Sequence, residues 1–274
     1  MGWRQMRMLT MIAVSLCCLT AGCGSMNADS GGEDNYDSTI RQADDARRTR
    51  DFRSAIFLYQ RALQIDGDAV SAKVGLGQVF LAVGANDEAA AQFRDVLAAR
   101  ANDQAARVGL ASALIGMGQP ALALEQLQAA AVSGPGAPRV FNATGVALDM
   151  LGRHAEAQTN YRKGIQLSPG DVALRSNLGL SLAISGQPEE AIATLAPLMG
   201  TSSVDGRIRQ NLALAYAMTG NVEKALELSR RDLDEQSAQR QLSYFIYLKG
   251  LPVDIRSLEI RRNPSFFPQS AAEP

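Results

Sequence analysis

Few side chains in this 274-residue sequence have a type suited to chemistry: one histidine, three cysteines and some clustered carboxylates. A nucleophile–histidine catalytic group would have to use His154 alone. His154 follows Arg153 and has neither a second histidine nor a nearby cysteine with which to share a metal, so it reads as a surface residue opening a helix. Asp232, Asp234 and Glu235 read as the solvated acidic face of a helix. Ser133-Gly134-Pro135-Gly136 lacks the Lys-Ser/Thr of a phosphate loop and reads as a connection. With 27 Lys+Arg against 28 Asp+Glu, there is no basic field to hold nucleic acid. The 46% hydrophobic fraction is that of a globular chain. These readings exclude a His-rich or Cys-rich metal site and leave a binding or scaffolding protein as the expectation. No enzyme, cofactor, nucleic acid or small-molecule substrate is expected.

The remaining reactive group is the thiol of Cys23. Arg4 and Arg7 precede an uncharged apolar stretch, Met8 to Leu19. That stretch is shorter than the roughly 20 residues a bilayer core requires, so residues 1–22 read as a signal peptide. It ends in Leu19-Thr20-Ala21-Gly22-Cys23, which resembles the lipobox of bacterial lipoproteins, with Thr20 where leucine is usual. The resemblance implies cleavage before Cys23, a thioether from its sulfur to diacylglycerol, and acylation of the new amino group. Cys17 and Cys18 would leave with the signal, so the mature chain could form no internal disulfide. Several acyl chains anchor a protein stably where one does not. Gly24 in place of an aspartate implies the periplasmic face of the outer membrane. Residues 23–35 are polar and Gly/Ser-rich after the cysteine, and read as a flexible tether reaching about 20 Å.

What must position any binding residues is a repeat. Ala55, Ala89, Ala123, Ala157, Ala191 and Ala225 are spaced by 34 residues. Ala43, Gly77, Ala111, Gly145, Gly179 and Ala213 keep the same interval, as do Gly84, Gly118, Gly152, Gly186 and Gly220. Such a period marks stacked structural units. Each unit reads as two helices. The first two columns let the helix axes approach, and the glycine column ends the first helix in a left-handed conformation. Apolar residues between the columns keep helical spacing, as in Leu76, Phe80, Tyr59, Phe93 and Tyr161. The expected fold is all-α: six units over 36–239, starting near 36, 70, 104, 138, 172 and 206. A capping helix at 240–252 and a disordered tail at 253–274 carrying Phe266-Phe267 would follow.

Leu76-Gly77-x-x-Phe80 with Ala89-x-x-x-Phe93, and Gly145 with Ala157-x-x-x-Tyr161 and Pro169, resemble the tetratricopeptide repeat (TPR) family. The first unit departs from the pattern, with Arg50 at the glycine column. The resemblance implies a solenoid whose concave face is lined by set places of each first helix. Those places hold Val74, Gln78, Leu81, Val108, Ser112 and Ile115 in the second and third units. Further along they hold Arg139, Asn142, Val146, Asp149, Ser176, Leu180, Arg207, Gln210 and Leu214. Apolar residues flanked by amides and two arginines suit a peptide or an amphipathic helix laid in a groove, although any one of them could instead pack between units. The pairs Val74/Gln78, Val108/Ser112 and Asn142/Val146 lack the Lys–Asn set with which chaperone-binding members hold a terminal carboxylate.

Lipobox, repeat array and C-terminal region together resemble the TadD family of tight-adherence (Flp) pilus assembly lipoproteins. Arg209-Gln210-Asn211-Leu212-Ala213-Leu214-Ala215-Tyr216, Gly220, Asp232-Leu233-Asp234-Glu235 and the helix around Tyr244–Leu248 carry that resemblance. It implies a pilotin-like scaffold that helps an outer-membrane secretin assemble. A general periplasmic TPR adaptor for envelope enzymes or outer-membrane protein assembly is the alternative.

Overall fold

A computed structural model describes residues 30–132, 137–200 and 206–262. Cys23, the Ser133–Gly136 connection and Phe266-Phe267 lie outside the described residues. Among the described residues there is no strand, and no helix is long and apolar enough to cross a membrane. The helices pair in chain order. They are α1 (Ser30–Arg48) with α2 (Phe52–Ile65), α3 (Val70–Ala82) with α4 (Asn86–Ala99), and α5 (Gln104–Gly116) with α6 (Pro120–Val132). Then come α7 (Pro138–Met150) with α8 (His154–Leu167), α9 (Val172–Ile184) with α10 (Pro188–Leu195), and α11 (Gly206–Thr219) with α12 (Val222–Ser229). A 3-10 turn, Ala196–Gly200, extends α10. Two helices close the chain, α13 (Glu235–Lys249) and α14 (Val253–Arg262).

The small residues do what their spacing predicts. Every member of the Ala55 column is fully buried. A Cβ added to Gly77 would stand 2.8 Å from Cζ of Phe93, and one added to Gly145 would stand 2.6 Å from Cζ of Tyr161. The bulky residue one turn up the second helix therefore sits where a side chain on the first would be. The chain reverses at Gly84, Gly118, Gly152, Gly186 and Gly220, whose φ angles run from 71° to 92°. Arg50 adopts φ 60° in the same column without a glycine's freedom. Helix starts are capped from the side chain: Asp51, Asp103, Asp171, Asn221 and Asp234 each accept a bond from the backbone N–H three residues on. Each first helix packs on its own second helix and on the neighbouring first helix, which builds the solenoid.

Both ends differ from expectation. The first helix begins at Ser30, inside the stretch expected to be a tether. Thr39 is buried, Tyr36 and Ile40 pack on the first unit's core, and a helix so anchored propagates backwards at one hydrogen bond per residue. The capping helix starts at Glu235 rather than 240, because Asp234 caps it. Residues 253–262, expected to be disordered, form α14. It folds back onto α9 and α13 and buries Ile260, Ser257 and Arg256. Arg256 is held by backbone carbonyls: Nε donates to Leu248 at 3.0 Å and a terminal nitrogen to Leu251 at 3.0 Å. Its burial lowers the guanidinium pKa.

Candidate functional site

The first helices of successive units line one face, and the places expected to bind a partner divide there into two sets. Val74, Gln78 and Val108 are half-buried and Arg139 is exposed. Gln78, Val108 and Arg139, together with the buried Leu81 and Ser112, line a pocket of about 170 Å³ between α3, α5 and α7. Phe93 and Val140 belong to the same lining. Arg207 and Gln210 line a second hollow of about 360 Å³, closed by Leu228, Ser229, Asp232 and Gln241.

The other set does not face outward. Ile115, Val146, Leu180 and Leu214 are buried to 4% exposure or less, so they pack between units. Asn142 accepts a bond from Asn177 at 2.8 Å, and Ser176 accepts one from Asn211 at 3.2 Å. These amides join α7 to α9 and α9 to α11, and their bonds are already made. A side chain at a repeated place is drawn into the inter-unit contact when its neighbour offers a partner, and periodicity alone does not show that neighbour.

Two expectations are overturned at one place. Asp149 is 3% exposed and is not a groove residue; His154 is 8% exposed and is not a surface residue. Nδ1 of His154 lies 2.7 Å from Oδ1 of Asp149, and its Nε2 lies 2.7 Å from Oγ of Ser257 on α14. Asp149 also accepts from Tyr161 at 3.0 Å and from Ser181 at 2.8 Å. Burial pushes the Asp149 carboxyl up, against the pull of these partners, and pushes the Tyr161 phenol well up. The order Asp–His–Ser is that of a hydrolytic triad, but the hydroxyl is engaged. The one hydroxyl proton of Ser257 has a backbone acceptor in the Val253 carbonyl at 2.7 Å, in competition with Nε2. Ser257 is 3% exposed, which leaves no room for a substrate carbonyl. The group holds α14 to the turn between α7 and α8. A charged residue inside the array was the available sign: Asp149 stands where Leu81, Ile115, Ala183 and Ala217 stand, and only Arg47 of the first unit is also charged in that column.

The acidic run at 232–235 is exposed yet engaged. Asp232 takes both a 2.6 Å bond from Nε of Arg209 and a second from its terminal nitrogen, and Glu235 is held by Arg230. Among the described residues no group of His, Cys, Asp and Glu could hold a metal.

The tetratricopeptide repeat model matches residues 40–106 and 108–172. No curated protein matches the sequence. Among solved structures, the chain is similar to PilW, titled a widely conserved type IV pilus biogenesis factor. They share 16% identity and a TM-score of 0.65, over 77% of this chain and 98% of that one. It is similar to the pilF protein of Pseudomonas aeruginosa at 16% identity and TM-score 0.60, over 77% and 99% of the two chains. Cut9 in its complex with Hcn1, from the APC/C, aligns at 17% identity and TM-score 0.65, over 79% of this chain and 45% of that one. At these identities the shared property is the fold.

Proposed function

Starting from a tetratricopeptide-repeat solenoid, the fold of the described residues, we propose that this protein is a non-catalytic scaffold. It captures a protein segment in its concave face, anchored to the outer membrane through lipid on Cys23. Its partner on this reading is the secretin of a tight-adherence pilus, and its role is pilotin-like. The carrying observation is the open hollow between α3, α5 and α7, floored by apolar side chains and rimmed by an arginine and an amide. Nothing in it is arranged to make or break a bond. Support for the pilus setting is the lipobox-like Leu19–Cys23 segment, the TadD-like stretch from Arg209 to Leu248, and a fold held in common with PilW, a type IV pilus biogenesis factor.

In mechanism, acyl chains hold the solenoid at the membrane, and the segment before Ser30 sets how far it ranges. Capture of a subunit then raises that subunit's concentration at the membrane by tethering rather than by catalysis. Deleting the gene should reduce secretin multimers in the outer membrane, and wild-type protein should restore them. A Cys23→Ser variant should lose lipid labelling and restore them poorly. Normal multimers and normal pili in the deletion strain would remove the pilotin reading.

A further inference from the structure

We propose that the hollow between α3, α5 and α7 takes one leucine- or phenylalanine-sized side chain of a partner segment. A carboxylate close by on that segment is held by Arg139. This rests on the reading of the concave face as the partner-binding face, and it names the chemistry selected there.

Size sets the first part. An apolar cavity of about 150 Å³ accepts benzene, whereas sites for whole small molecules run upward from about 300 Å³. At about 170 Å³ this hollow fits one side chain. Leu81, Phe93 and Val140 are each 3% exposed or less and form its buried apolar lining, with half-buried Val108 beside them. An apolar group placed there leaves water for a preformed surface.

Charge sets the second part. The lining contains no aspartate or glutamate. Two of its polar side chains are already spent: Gln104 donates to the Ala130 carbonyl at 3.1 Å, and Ser112 donates to the Val108 carbonyl at 3.0 Å. Arg139 and Gln78 make no hydrogen bond or ion pair among the described residues. The rim therefore offers an uncompensated cation, which attracts a carboxylate and repels a lysine, beside an amide able to bond a peptide backbone. The second hollow differs. There a carboxylate, Asp232, itself paired with Arg209, stands in the lining beside Arg207.

The test uses the purified full chain in detergent and fluorescent Gly/Ser peptides of about ten residues. Each carries a central leucine with Asp, Asn or Lys one to three positions away, or alanine in place of the leucine. The Leu–Asp peptides should bind best, about three- to fivefold over Leu–Asn at low salt, with the margin shrinking as salt is added. Arg139→Gln should erase that margin by weakening Leu–Asp binding more than Leu–Asn binding, and Arg139→Glu should turn the preference towards lysine. Val108→Trp, which fills the hollow, should abolish binding with the helical circular dichroism retained. Absence of leucine-dependent binding up to millimolar peptide would overturn the assignment, as would a preference for Asp that survives Arg139→Gln. Intact peptide selection with normal secretin multimers in the deletion strain would keep the pocket chemistry and remove the secretin role. The opposite pair of results would remove the pocket chemistry and keep the scaffold.

Discussion

The units built from α3 to α6 and the unit built from α7 and α8 have the same backbone plan and different chemistry at one place. At the end of their first helices, the earlier units bury Leu81 and Ile115, while the later one buries Asp149. Where the earlier second helices open with Asn86 and Pro120, the later one opens with His154. The apolar residues are satisfied by the next unit alone. The buried carboxyl instead needs polar partners: it takes them from His154, Tyr161 and Ser181, and α14 brings Ser257 to the other ring nitrogen of that histidine. At this place the residue that breaks the apolar pattern marks where α14 docks on the stack.

The comparison can be broken most forcefully at Asp149. Asp149→Ala strips an acceptor from His154, Tyr161 and Ser181 together and should destabilise the protein by about 3–5 kcal/mol. Urea unfolding measures it, and a loss under 1 kcal/mol would show that the carboxylate is not the hub. Next come the small columns, where both regions should respond alike. Gly77→Val and Gly145→Val each drive a side chain into the facing ring and should cost about 1–3 kcal/mol. A marked difference between the two would mean that the units do not pack equivalently.

Ser257→Ala should cost less, about 1–2 kcal/mol, since the buried Nε2 of His154 loses its hydrogen-bond partner. Hydrogen exchange should quicken in α14 and leave α3 to α6 unchanged; uniform quickening would contradict a local latch. The smallest effect on stability belongs to Arg139→Gln, expected within about 0.5 kcal/mol of wild type because the side chain is exposed. A larger loss in urea unfolding would mean that Arg139 supports the fold rather than the rim.

Much of the fold was legible beforehand. First helices start at 70, 104, 138, 172 and 206, as the interval of the small residues requires. The glycine column falls on left-handed turns. Of the expected binding places, Gln78, Val108, Arg139, Arg207 and Gln210 do line hollows, whereas Ile115, Val146, Leu180 and Leu214 are packing residues. Helical spacing names a face but not the depth at which a side chain sits on it. The last helix was illegible for a different reason. Val253–Arg262 contains no repeated column and many charges, so its order depends on contacts distant in sequence, such as Arg256 with the carbonyl of Ile184 and Ser257 with His154.

By itself, the sequence determined the register of the array. A small side chain every 34 residues is a local steric condition, and each unit meets it with its own neighbours. Tertiary structure alone decided which polar residues are sealed, which stay free to meet a partner, and where the chain's last helix returns. Those outcomes turn on hydrogen-bond partners up to 103 residues apart, and no spacing along the chain encodes whether such a partner arrives.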